Sequence, residues 1–121
     1  MNIHESAEDY LEAILRLREQ KGFVRSVDIA AMLGVTKPSV SFAMKRLREN
    51  GFIVMDEDNL ITLTESGAAI ARRVYERHKT LVSFLISIGV SEETAREDAC
   101  RIEHDISEET FSAQRRQLMG H

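Results

Sequence analysis

The apolar positions of this 121-residue chain first fall into a helical rhythm. Tyr10, Ile14 and Leu17 form one stripe, widened by Leu11 and Leu15, the three- and four-residue recurrence that keeps side chains on one helix face. Ser6 with Asp9 suits the start of that helix: a short oxygen for the open amides and an acid near the positive end of the dipole. Lys21-Gly22 suits its end. Ser26 to Gly34 predicts a short second helix, and Lys37-Pro38 opens a third, proline being favoured in a first helical turn. There Val40, Met44 and Leu47 recur until Gly51 stops the run. The rhythm then changes. Phe52–Met55 and Leu60–Leu63 are short β-prone runs around Asp56-Glu57-Asp58-Asn59, which predicts a hairpin. Helical spacing returns from Thr64 to about Ile88, with Ile70, Val74, Leu81 and Leu85 as the apolar face. Ser91-Glu92-Glu93 predicts another helix, to about Ile106, along an Ala95-Ala99-Ile102-Ile106 stripe. Ser107-Glu108-Glu109 opens a last one.

Three helices, a three-residue turn between the second and third, and a two-stranded hairpin make a winged helix-turn-helix. The expected fold is mainly α: a winged helix-turn-helix over residues 1–64, then a helical domain over 65–121. Two strands cannot stand alone, so the wing must pack on the helices. The second stretch is too small to bury its own apolar surface well, which makes dimerisation the expected remedy.

Composition changes little in this picture. With 43% apolar and 30% charged residues, neither disorder nor a membrane protein is indicated. No apolar run approaches the roughly 18 residues of a membrane span, and Met1-Asn2-Ile3-His4-Glu5 lacks the basic start of a secretory signal. A single cysteine, Cys100, cannot form an internal disulfide, so a reduced, cytoplasmic setting is expected.

Charge changes the picture more. The net charge of −4 argues against nucleic acid, but residues 16–50 hold eight bases against Glu19, Asp28 and Glu49. Residues 81–110 hold eight acids against Arg96 and Arg101. A basic segment beside an acidic one suggests that one part binds a polyanion and another handles cations. In a helix-turn-helix the second helix of the motif presents its start to base edges. That assigns Thr36, Lys37, Pro38, Ser39 and Ser41 to DNA, with Lys45 and Arg48 for phosphates. Acids at Asp56, Glu57 and Asp58 would be repelled by phosphate, so the wing is not expected to be a principal clamp. A winged helix can also serve as a protein-interaction module.

Cys100, Glu103 and His104 lie at i, i+3 and i+4, away from the alanine–isoleucine stripe of their predicted helix. A thiolate, a carboxylate and an imidazole on one face can bind a divalent first-row metal. Asp9 and Glu12 share the face of the first helix opposite Tyr10 and Ile14, and His78 sits within the apolar face of the long helix. Spacing alone leaves other roles open. Asp9 can be a helix-start charge, Glu12 a surface partner of Arg16, His78 a core histidine and Cys100 an inert small side chain. An enzyme built on Cys100 and His104 is not expected, because no third orienting group or glycine-rich oxyanion loop accompanies them.

Taken together, Glu8-Asp9-Tyr10-Leu11-Glu12, Lys37-Pro38-Ser39-Val40-Ser41, Arg77-His78 and Asp98-Ala99-Cys100-Arg101-Ile102-Glu103-His104 resemble the diphtheria toxin repressor family of iron-dependent repressors and manganese transport regulators. The resemblance runs from residue 1 to about 111. It implies a homodimeric repressor that binds palindromic operator DNA with Mn(II) or Fe(II) as co-repressor. Zn(II), Co(II) or Ni(II) are expected to substitute in vitro, and no small organic substrate or membrane is involved. It also implies the ligand set Asp9, Glu12, His78, Cys100, Glu103 and His104. Asp9 and Glu12 match the manganese branch and Cys100 the iron branch. Val82 and Arg96 stand where iron-type members carry ancillary ligands, and the length suits the short, two-domain form. The rival reading is a metal-independent winged-helix DNA-binding regulator.

Overall fold

The computed structural model describes residues 6–103 and 105–120. It divides into two compact units, residues 1–73 and 74–121.

The first unit begins with α1 (Ala7–Lys21), α2 (Ser26–Leu33) and α3 (Lys37–Glu49). Ser6 caps α1 by accepting from Asp9 N, and Thr36 caps α3 by accepting from Ser39 N. Between α2 and α3, Gly34 takes a φ of 67°, a left-handed conformation that costs glycine little and gives the motif its sharp turn. The wing follows as β1 (Ile53–Met55) and β2 (Ile61–Leu63), antiparallel with Ile53 opposite Leu63 and Met55 opposite Ile61. Asp56 shapes its tip, its Oδ1 accepting from both Asp58 N and Leu60 N at 2.9 Å. The wing acids thus include a turn-forming group, a common role for aspartate.

Ile53 and Ile61 turn inward, and Ile61 N donates to Val24 O at 2.8 Å, tying β2 to the loop after α1. Tyr10, Leu11, Ile14, Leu17, Ile29, Val40, Met44 and Leu47 complete one continuous core with them. This is the core expected from the helical stripes, and its apolar burial is the main stabilising term of the unit.

The long helix α4 (Glu65–Ser87) starts inside the first unit. Thr64 Oγ1 accepts from Gly67 N and donates to Gly51 O at 2.6 Å, so one hydroxyl joins the start of α4 to the end of α3. Gly67 is required there, because a side-chain carbon would collide with the Phe52 carbonyl. The close backbone approach is possible only without a Cβ.

In the second unit the remainder of α4 is followed by α5 (Glu92–Ile102) and α6 (Glu108–Met119), capped by Ser91 and Ser107. Leu81, Ala99 and Phe111 form its core, with Val82, Ile102 and Ile106 half-buried against it. The predicted run of α5 to about Ile106 is corrected, since the helix ends at Ile102. Glu103 is the C-cap, and Asp105 N closes a tight turn onto Ile102 O at 2.8 Å. Ser107 leaves helical geometry to cap α6, so α5 could not run on into α6. Among the described residues no helix is long and apolar enough to cross a membrane.

Candidate metal centre and recognition helix

The exposed side of α3 carries the DNA-binding candidates. Thr36, Lys37, Pro38, Ser41, Lys45 and Arg48 are all exposed, and Ser39 is half-buried. Thr36 Oγ1 donates to Ser39 Oγ at 2.9 Å besides receiving Ser39 N, so these two hydroxyls first serve the helix cap. Arg48 leans on the wing, its Nη1 lying 3.8 Å from Met55 Sδ. Phe42 and Arg46 are exposed on the same helix and are not among the expected DNA-binding residues. Phe42 is 63% exposed, with the Arg46 guanidinium 5.7 Å from its ring centroid. The signal was available: position 42 lies two residues past Val40 and falls off the Val40-Met44-Leu47 stripe. A groove of about 460 Å³ runs beside it, lined by Ala7, Tyr10, Ala43, Leu47 and Phe52 among others.

Asp9 and Glu12 are on α1, one turn apart. They do not face solvent as an acidic surface stripe would, being only 3% and 6% exposed. From Asp9 to Ile14 the helix is buried on every side. Glu12 is therefore not a surface carboxylate. Taking a carboxylate out of water is costly unless positive charge or hydrogen bonds compensate, so two buried acids within one turn are an expensive arrangement for a small domain.

The second unit holds the complementary set. Glu103, at the C-cap of α5, is 2% exposed, and His78 from mid-α4 approaches it with Nδ1 at 3.0 Å from Oε2. A carboxylate on one ring nitrogen fixes the orientation of the imidazole and leaves Nε2 to face elsewhere. Cys100 precedes Glu103 by three residues, is half-buried and forms no disulfide. His104 lies outside the described residues. The structure therefore brings His78 and Glu103 together across two helices, which no local spacing could show. It also keeps Cys100 one turn from Glu103, as the i, i+3 reading anticipates. The donor set of carboxylates, imidazole and thiol fits a divalent first-row cation.

Comparison with known proteins gives this chemistry its context. Residues 2–59 match the profile of the iron dependent repressor N-terminal DNA binding domain. Residues 64–119 match that of the iron dependent repressor metal binding and dimerisation domain. The transcriptional regulator MntR of Escherichia coli O157:H7 is 43% identical over 109 residues, covering 90% of this chain and 70% of that protein. The crystal structure of T. acidophilum IdeR superposes with a TM-score of 0.82 at 31% identity, covering 96% of this chain and 55% of that one. A manganese-dependent transcriptional repressor in complex with manganese superposes with a TM-score of 0.85 at 28% identity, covering 94% and 53%. The chain thus spans a little over half the length of these solved structures. With both domain profiles matched in order along nearly its whole length, the chain belongs to the iron-dependent repressor family.

Proposed function

We propose that the chain is a transcriptional repressor activated by a divalent cation, with Mn(II) as the first candidate and Fe(II) as the second. It binds palindromic operator DNA as a cytoplasmic homodimer. The observation that carries this reading is the set of buried acids: Asp9 and Glu12 on α1, and Glu103 against His78 in the segment matched by the metal-binding profile. The proposed ligands are Asp9, Glu12, His78, Cys100, Glu103 and His104. When bound, the cation supplies the positive charge that offsets the cost of gathering these carboxylates.

The chain's own residues do the rest. Mostly oxygen donors favour manganese, whereas the Cys100 thiolate pulls toward softer metals. Residues 1–64 supply the DNA-binding part and residues 65–121 the metal-binding and dimerisation part. Because the ligands come from both, occupancy biases the geometry in which two copies present α3. Recognition helices in a dimer must match half-sites about one helical turn or a multiple apart. Thr36, Lys37, Pro38, Ser39 and Ser41 then meet base edges or the adjoining backbone, with Lys45 and Arg48 on phosphates. Linkage requires that operator DNA tighten metal binding by the same factor as metal tightens DNA binding.

The test is selection of random duplex DNA by metal-stripped protein, in parallel with Mn(II), Fe(II) under argon, and chelator. A palindrome enriched only with metal is the expected result. The same palindrome enriched under chelator would make the chain a metal-independent regulator, and no enrichment in any arm would remove DNA binding itself.

A further inference from the structure

Arg77 and His78 are consecutive on α4, and both reach the link between α5 and α6, at opposite ends. His78 meets Glu103 where α5 stops. Arg77 Nη2 donates to Ile106 O at 2.9 Å, with Ser107 O at 3.4 Å, where α6 begins. The guanidinium carbon also lies 4.9 Å from the ring centroid of Phe111, a member of the small core of this unit. Its Nε is buried and finds no acceptor among the described residues. A rigid planar group held by carbonyls on one edge and an aromatic ring on its face has little freedom, so it fixes what it holds.

Glu103 is the C-cap of α5, its N donating to Ala99 O at 3.0 Å, and beyond it Asp105 N and Ile106 N turn back onto Ile102 O. The helices this link joins share a core of few side chains. Glu103 is thus held from the α5 side by its own backbone bond, while the α6 side of the junction is anchored by Arg77 through the Ile106 carbonyl.

We propose that Arg77 is a positioning residue for metal binding. By pinning the Ile106 carbonyl it holds the α5–α6 link, and so keeps Glu103 presented beside His78 before any cation arrives. Without it, part of the binding free energy goes into ordering the link, and affinity falls. This rests on the reading above that His78 and Glu103 hold a divalent cation.

The experiment is a Co(II) titration of the full, metal-stripped chain, followed by visible absorption, on wild type, Arg77→Met and Arg77→Lys. Thermal unfolding of the metal-free proteins runs alongside. Loss of groups that orient metal ligands typically weakens affinity by about 10- to 100-fold, and Arg77→Met is expected in that range with an altered cobalt spectrum. Arg77→Lys keeps the charge but not the paired donors and is expected to fall between Met and wild type. As a control for simple destabilisation, Leu118→Ala on α6 should lower the unfolding temperature while leaving the cobalt spectrum and affinity unchanged. Arg77→Met binding Co(II) as tightly as wild type overturns the proposal while leaving the metal reading intact. If Arg77→Met does not fold, Arg77→Lys decides, and wild-type affinity in it overturns the proposal. A wild-type chain that binds no Co(II) removes the metal reading, and this inference with it.

Discussion

Residues 1–73 and 74–121 are both helical, but they solve the problem of burial differently. The first unit closes one continuous core from α1, α2, α3, the wing and the first turns of α4, with Tyr10, Ile14, Ile29, Val40, Met44, Ile53, Ile61 and Ala71 all buried. The second gathers Leu81, Ala99 and Phe111 and leaves Ile86, Ile88 and Met119 exposed. A segment this short rarely buries enough apolar surface to offset the conformational entropy of ordering it. Polar anchors take a larger share of the work, namely the Arg77 bonds to Ile106 and Ser107 and the His78–Glu103 pair. The lesson is a division of labour. One unit buries a continuous core beneath α3, and the other leans more on a few polar bonds.

The sharpest way to break that comparison is to separate the units. A fragment of residues 1–73 is expected to keep helical circular dichroism and a cooperative melt, whereas residues 74–121 alone are expected to lose both at micromolar concentration. A fragment 74–121 that melts cooperatively as a monomer would show its core to be sufficient. The next effect tests how tightly the first unit is built. Gly67→Ala places a methyl against the Phe52 carbonyl, and overpacking of this kind costs about 1–3 kcal/mol. Chemical denaturation should show the loss, and a change within error would mean that the start of α4 yields easily.

The smallest effect concerns Asp28, whose carboxylate binds Lys21 Nζ at 2.7 Å and Arg25 N at 3.0 Å. The Lys21 hydrogen bond, which is the largest influence, holds its pKa below the usual 3.8 against the opposing effect of burial, helped by the Arg25 amide and the charges of Lys21 and Arg25. A depressed folded-state pKa adds stability above the unfolded value and loses it as pH falls through the folded value. Asp28→Asn should therefore cost about 1 kcal/mol or less at neutral pH. The gap to wild type should begin to shrink below about pH 4 and close as pH falls through the depressed folded-state value. A gap of constant size down to pH 2 would assign the effect to shape and not to charge.

Much of the first unit was legible because its signals are local. Ser6, Thr36 and Pro38 mark helix starts, Gly22 and Gly34 mark helix ends, and the Val40-Met44-Leu47 spacing gives the buried side of α3. Each follows from backbone geometry within a few residues. The end of α5 was less legible. The stripe continues through Ile106, whereas the helix stops at Ile102 and Ser107 already caps the next one.

By itself, then, the sequence determined the order of the elements, the core stripes, the exposed run of hydroxyls and bases on α3, and the types of metal-capable side chain. Tertiary structure alone decided that Asp9 and Glu12 are buried, that His78 meets Glu103 across 25 positions of chain, and that Arg77 bonds to the Ile106 carbonyl. The physical reason is range. Caps, turns and helical stripes are fixed by interactions a few residues long, whereas burial and pairing of charges depend on which helices pack together, and no spacing along the chain encodes that.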